Sequence, residues 1–298
     1  RNDHVINRRH FLALAGASVT WSGLNAFAAI PGMDRCLRCI AALNPDPLHC
    51  KIWVLPYHGN TLYLNDGSAW VPATVPPNLT EINVLNCTID GVANRAVIPD
   101  TNYRIYARLN SGNMEFELSQ VAQQQDPSGF LVKTNHNTHR LIGGCHYVSG
   151  GIGLGLNERN YHVGSYFNRL SVPLAVRITG GASASGLWAL LTTPTTRASA
   201  WTWGDGQEPL VHVSGGIVNS QPGNPTYYGI VVNGVLPPVS VGVFVPSYAH
   251  QTATVSAMHA HNANSEGFHS YDLAIKTEFS TGNAYVNPDV RLIVDFTG

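Results

Sequence analysis

Between Arg104 and Leu118 apolar and polar residues largely alternate, and one turn, Asn110-Ser-Gly-Asn113, interrupts the alternation. Ile105, Ala107 and Leu109 fall on one face, and beyond the turn Met114, Phe116 and Leu118 do so again. Successive side chains of a strand point to opposite faces, so this period of two on both sides of a turn predicts a half-buried antiparallel pair. The flanking segments read the same way. Lys51–Trp70 predicts two strands closed by Asn65-Asp-Gly67, with Gly at the position that needs positive φ and Trp70 covering the hairpin. Gly129–Gly144 predicts a further strand pair.

Composition favours the same class. Charged residues make up 12% of the 298 residues, about half the usual share. Gly, Thr, Ser, Asn and Val take their place, which suits many short strands and few exposed helices. The length allows one or two domains. A net charge of −1 leaves no electrostatic footprint for nucleic acid or an anionic lipid membrane. Thirteen histidines make surface charge sensitive to acid, below about pH 6.5.

Along the chain, residues 1–47 form an N-terminal apolar segment and connector, 48–148 a first β module, and 149–298 a C-terminal β module. In the first part, Asn7-Arg-Arg-His-Phe-Leu12 opens an apolar run that ends at Ala26-Phe-Ala28. Arginines before an apolar stretch and a small-x-small site have the pattern of an export signal, and the paired arginines resemble a twin-arginine signal. Thr20, Ser22, Gly23 and Asn25 make the run a poor membrane span. The competing expectation is a short apolar helix, Phe11 to Phe27, docked on a partner chain through Leu12, Leu14, Ala15 and Val19. Asn44-Pro-Asp-Pro47 predicts a connector, and Gln123-Gln-Gln125 a polar linker. Gly150-Gly-Ile-Gly-Leu-Gly155 lacks the strand, helix and acidic residue of a dinucleotide loop and is expected to be a hinge.

In the C-terminal module, strands are expected at Leu170–Ile178, Leu187–Thr192, Leu210–Val213, Gly229–Val235, Val239–Val245, Thr252–Met258, Tyr271–Glu278 and Val290–Phe296. Eight strands at that spacing predict a sandwich of jelly-roll type. The expected fold is therefore all-β: two antiparallel β modules, the C-terminal one a jelly-roll-like sandwich, preceded by a short N-terminal apolar helix.

An ordered set of short motifs runs through both modules. It comprises Tyr57-x-Gly-Asn60, Asp66-Gly-x-x-Trp-Val71, Thr101-Asn-Tyr-x-Ile-Tyr106, Gly129-x-Leu-Val-Lys133, His139-Arg-x-x-Gly143, Ser165-Tyr-Phe-Asn-Arg-Leu170 and Gly267-Phe-His-Ser-Tyr-Asp-Leu273. The set resembles a module of tailed-bacteriophage virion proteins of the tail-fibre, tail-spike or head-fibre type, over residues 48–296. The resemblance implies a structural or binding role, a homo-oligomer with a trimer favoured, and a jelly-roll-like head. It brings no catalytic residues with it.

Other constellations bear on chemistry. Cys36-Leu-Arg-Cys39 has the spacing of half a zinc or redox site, with no second pair to complete it. His259 and His261 share a strand face near His269, and His136, His139 and His146 form a second cluster. Each falls short of four converging ligands within one chain. Gly181-Ala-Ser-Ala-Ser-Gly186 does not match a nucleophile elbow. Asp205, Glu208, Glu266, Asp272 and Glu278 supply carboxylates for a glycan depolymerase, without singling out a pair. Trp188, Trp201, Trp203, Tyr227, Tyr228 and Tyr248 are candidates for loop stacking platforms or for core. The sequence therefore predicts no catalytic, cofactor-binding or metal residue. Together with the motif resemblance, which implies a virion context, the reading is a non-enzymatic virion protein of fibre or decoration type, with other virion proteins and a host-surface glycan as further partners. The alternatives are an exported bacterial carbohydrate-binding protein, periplasmic or extracellular, and a glycan depolymerase.

Overall fold

The computed structural model describes residues 37–41, 50–57, 59, 61–78, 80–149, 154, 160–166, 173–179, 182–183, 186–191, 197–203, 209–262, 266–279 and 283–295. The expected N-terminal helix, Asn44–Pro47, and the Gly150–Gly155 stretch apart from Leu154 lie outside them. The described residues form strands and turns and contain no helix.

Among the described residues, fourteen strands precede residue 170. They are β1 (Leu37–Ala41), β2 (Lys51–Pro56), β3 (Thr61–Asn65), β4 (Trp70–Thr74), β5 (Thr80–Asn83), β6 (Cys87–Ile89) and β7 (Val92–Arg95), then β8 (Asn102–Asn110), β9 (Asn113–Ser119), β10 (Gln123–Gln125), β11 (Leu131–Lys133), β12 (His136–His146), β13 (Asn160–Tyr161) and β14 (Val163–Ser165). The largest sheet here has the order β10-β11-β12-β8-β9-β6-β7, with β14 also on β12. β1-β2-β5 form a second sheet, and β3-β4 a hairpin.

The β8–β9 pair has the expected register, with Ile105 opposite Leu118, Ala107 opposite Phe116 and Leu109 opposite Met114. Ile105, Ala107 and Leu118 are fully buried in a core shared with Ile52, Leu62 and Leu64. Ser111 and Gly112 close the hairpin with φ of 51° and 83°, a two-residue turn of the mirror-image type that matches strand twist. At the β3–β4 turn Gly67 has φ 104°, and the Asn65 side chain accepts its N–H at 2.8 Å. Trp70 reaches beyond its own hairpin: it packs on Phe130 at 4.1 Å between ring centroids and donates to Asp126 at 3.0 Å. Gln123–Gln125, expected as a linker, is instead strand β10, paired with Leu131–Lys133.

The rest of the chain forms β15 (Leu174–Ile178), β16 (Ala182–Ser183), β17 (Ala189–Leu190), β18 (Ala198–Thr202), β19 (Leu210–Asn219), β20 (Thr226–Val232), β21 (Ser240–Phe244), β22 (Gln251–Ala260), β23 (Gly267–Thr277) and β24 (Ala284–Asp295). One sheet has the order β15-β24-β19-β22, with β16 on β24; the other has β13-β18-β23-β20-β21, with β17 on β23. Their inward residues, among them Leu174, Val176, Val213, Leu273, Ile275 and Leu292, form a second core. β18 is absent from the strands expected of the sequence. It brings Trp201 and Trp203 into a third buried cluster with Tyr106 and Leu141, which joins the two groups of sheets.

Candidate functional site

The structure splits one histidine group of the sequence, His146 from His136 and His139, and brings the other, His259, His261 and His269, together. His136 and His139 face each other at 5.5 Å on β12. His146, at the other end of that strand, stacks on Phe268 of β23 at 4.1 Å and shares a hydrogen bond with Asn102 at 2.8 Å. Burial pulls His146 down to about 4. His259 and His261 lie on one face, 6.4 Å apart, and His269 is 5.0 Å from His261. His261 meets the Tyr271 hydroxyl at 3.0 Å, and Asn233 donates to His269 at 3.1 Å. Among the described residues, no three His, Cys, Asp or Glu side chains are grouped to hold a metal ion.

Cys39 and Cys145 are buried free thiols, Cys50 is buried, and Cys87 is half-buried and free. Burial pushes Cys39 up to about 12 and Cys87 up to about 11, so neither is a thiolate at neutral pH. Cys36 lies outside the described residues, as do Asp205 and Glu208. Glu266 faces the Arg104 guanidinium at 3.1 Å and accepts from Gln123, tying β23's approach to β8 and β10. Asp272 is buried and faces Arg197 at 3.4 Å. Glu278 is exposed.

A cavity of about 310 Å³ opens on the largest sheet, lined by Asp90, Arg108, Glu117, Lys133, His136 and His139 among others. Its charges satisfy one another. Lys133, nearly buried, reaches Asp90 at 2.8 Å and the fully buried Glu117 at 2.9 Å. Burial works to lower Lys133, and hydrogen bonds to the two carboxylates outweigh it, so the ammonium is held above the ordinary lysine value. The same bond and one from Ser119 outweigh burial at Asp90 and hold it below the usual carboxylate range. A carboxylate locked in this way is a poor general acid or base near neutrality.

Between the two groups of sheets, Trp201 lies flat against β12. A Cβ on Gly144 would stand 2.3 Å from its ring, so glycine is required there by close approach. Trp203 donates to the Ser165 carbonyl at 3.1 Å. These two tryptophans, and Tyr228, which is also buried, are core rather than stacking platforms.

Of the remaining aromatics, Trp188 and Tyr227 meet on the outer face of the sheet containing β20, β21 and β23. Tyr227 is paired with Val243 on one side and Lys276 on the other. The Lys276 ammonium sits 4.7 Å from the Tyr227 ring and 5.4 Å from the Trp188 ring. Tyr248 is exposed in the turn after β21. This face holds apolar surface, ring faces, one cation and, just beyond β23, the Glu278 carboxylate, an arrangement suited to contact.

No family model and no curated protein matches the chain. Among solved structures it is similar to the insecticidal delta-endotoxin Cry8Ea1 from Bacillus thuringiensis, at 7% identity over 88% of this chain and 52% of that one, with a TM-score of 0.27. It is also similar to the mosquito-larvicidal Cry4Aa toxin of the same organism, at 8% identity over 88% and 52%, with a TM-score of 0.21. The chain spans about half the length of these toxins. At such TM-scores the likeness carries no argument for this chain.

Proposed function

We propose that the chain is a non-enzymatic structural protein of a tailed-phage virion, of fibre or decoration type, whose C-terminal sandwich is a jelly roll. The strand order supports this most directly. β15 pairs with β24, β18 with β23, β19 with β22 and β20 with β21. Apart from the two-residue strands β16 and β17, the first of these strands pairs with the last, the second with the second-last, and so inward, and successive pairs alternate between the two sheets. A long antiparallel ribbon rolled up on itself has this order, and viral capsid and lectin domains are built on it. The motif resemblance over residues 48–296 adds the virion context, a homo-oligomer with a trimer favoured, and contact with other virion proteins or a host-surface glycan. The internally neutralised cavity beside Lys133 agrees with a role that needs no acid–base chemistry.

The test is location. Antibody raised against residues 173–298 should label phage particles purified from the source culture, and mass spectrometry should find the chain there in stoichiometric amount. Particles free of the chain would overturn the reading.

A further inference from the structure

Residues 239–245 read Val-Ser-Val-Gly-Val-Phe-Val. A half-buried strand of that pattern should turn its valines inward. The structure turns them out: Val239, Val241, Val243 and Val245 are 51%, 50%, 57% and 54% exposed. The reason lies in the core. Tyr228, opposite Gly242, fills the interior beneath β21, and a Cβ on Gly242 would stand 2.2 Å from the Tyr228 ring. The inward position 242 admits no Cβ, so the strand turns its other face outward and a row of four β-branched apolar side chains is left facing water.

We propose that this face, the valine row of β21 with Tyr227 and Trp188 beside it, is where a second copy of the chain docks. The inference rests on the assembly reading above and assigns it a surface. Size is the first argument. Four consecutive outward valines, each half exposed or more, make a patch on the order of the ~300–600 Å² that is the largest on an ordinary monomer and often functional, and so the core of a contact that needs ~800 Å² per partner. Charge is the second. On this side β23 carries Lys276 and, just beyond the strand, the exposed Glu278, one of each sign. A neutral apolar face meets its own copy without like-charge repulsion, and every copy carries one. A glycan would need several hydrogen-bonding groups around the rings, whereas the row supplies valines.

The experiment uses the full chain. Light scattering behind size exclusion, at micromolar concentration, compares the wild type with Val241→Asp/Val243→Asp and with Val92→Asp, an exposed valine far along the chain. The expected result is an oligomer for the wild type and for Val92→Asp, and the mass of one chain for the double variant with an unchanged far-ultraviolet spectrum. An oligomeric double variant overturns the docking face and leaves the assembly reading standing. A monomeric wild type that is nevertheless found in particles overturns self-docking and leaves the virion reading standing. If the double variant fails to fold, a benzophenone amino acid at Val243 decides. Photocrosslinks to a second copy support the proposal, and their absence, or crosslinks only to another protein, overturns it.

Discussion

β8 and β21 are both alternating strands, and they meet opposite fates. On β8, Ile105 and Ala107 are buried in the first core, while Tyr106, on the other face, is buried with Trp201 and Trp203. Both faces have been given a cover. On β21 the inner face holds Gly242 and Phe244, and the outer valines have no cover within the described residues. Alternation shows that one face is apolar. It does not show which side the rest of the chain occupies, because that depends on what side chains, here Tyr228, already fill the space.

The sharpest way to break the contrast is to remove the cover from β8. Trp201→Ala deletes the ring that lies on Gly144 and over Tyr106, and large-to-small changes at buried aromatics cost about 3–5 kcal/mol. Urea unfolding should show a loss of about 4 kcal/mol, with the transition split or broadened because the two groups of sheets lose their shared cluster. A loss under about 1 kcal/mol would mean that Trp201 contributes little to the joint.

The ion-paired cavity sharpens the same comparison from the polar side of the sheet. Lys133→Met leaves the fully buried Glu117 without its ammonium, and breaking a buried pair costs about 3 kcal/mol or more. Lys133→Met/Glu117→Leu removes both charges and should recover most of that loss in the same urea assay. If the single and double variants are equally unstable, the pair is not what the site depends on.

These regions also show what the sequence could tell. The β8–β9 register was legible because its alternation and turn chemistry agree. The all-β character of the C-terminal residues was foreshadowed by short apolar runs set between Gly, Pro and Asn turns. β18 was not legible, since Ser199-Ala-Trp-Thr202 is short and its tryptophans resemble loop aromatics. The histidine triplet 136, 139 and 146 misled through proximity along the chain: on an extended strand ten residues span about 33 Å. Nothing local marks Gly144 or Gly242 as the places where a ring from elsewhere must fit; only the tertiary neighbour does.

Acid should separate the joint from the ridge. His146 is pulled to about 4 by burial, and His261 to about 4 by burial and then by the neighbouring His269 and His259. A folded-state value below the unfolded ~6.5 means that unfolded chains bind more protons between the two values. Stability is therefore complete above about pH 6.5, falls as pH drops toward about 4, and then levels off for these groups. For His146, packed against Phe268, the loss is on the order of 2 kcal/mol; the half-open His261 contributes less because solvent screens it. Urea midpoints at pH 7.5, 5.5 and 4.5 should fall in that order, and His146→Gln should flatten the slope. An equal slope in the variant would remove His146 from the joint's response to acid.

The smallest expected effect tests the ridge itself. Val243→Thr keeps the β-branched shape and the strand preference, and changes one exposed methyl to a hydroxyl. In a monomeric background such as Val241→Asp, the side chain stays in water in both folded and unfolded states. The substitution should then shift folding stability by less than about 0.5 kcal/mol, as surface changes ordinarily do. In the wild-type background the same change places a hydroxyl into the proposed contact, and each copy loses part of an apolar transfer term of roughly 25 cal/mol per Å². The Val243→Thr protein should thus dissociate at higher protein concentration than the wild type while unfolding at the same urea midpoint once dissociated. A folding loss above about 1 kcal/mol in the monomeric background would place Val243 inside a core, and the difference between β21 and β8 would disappear.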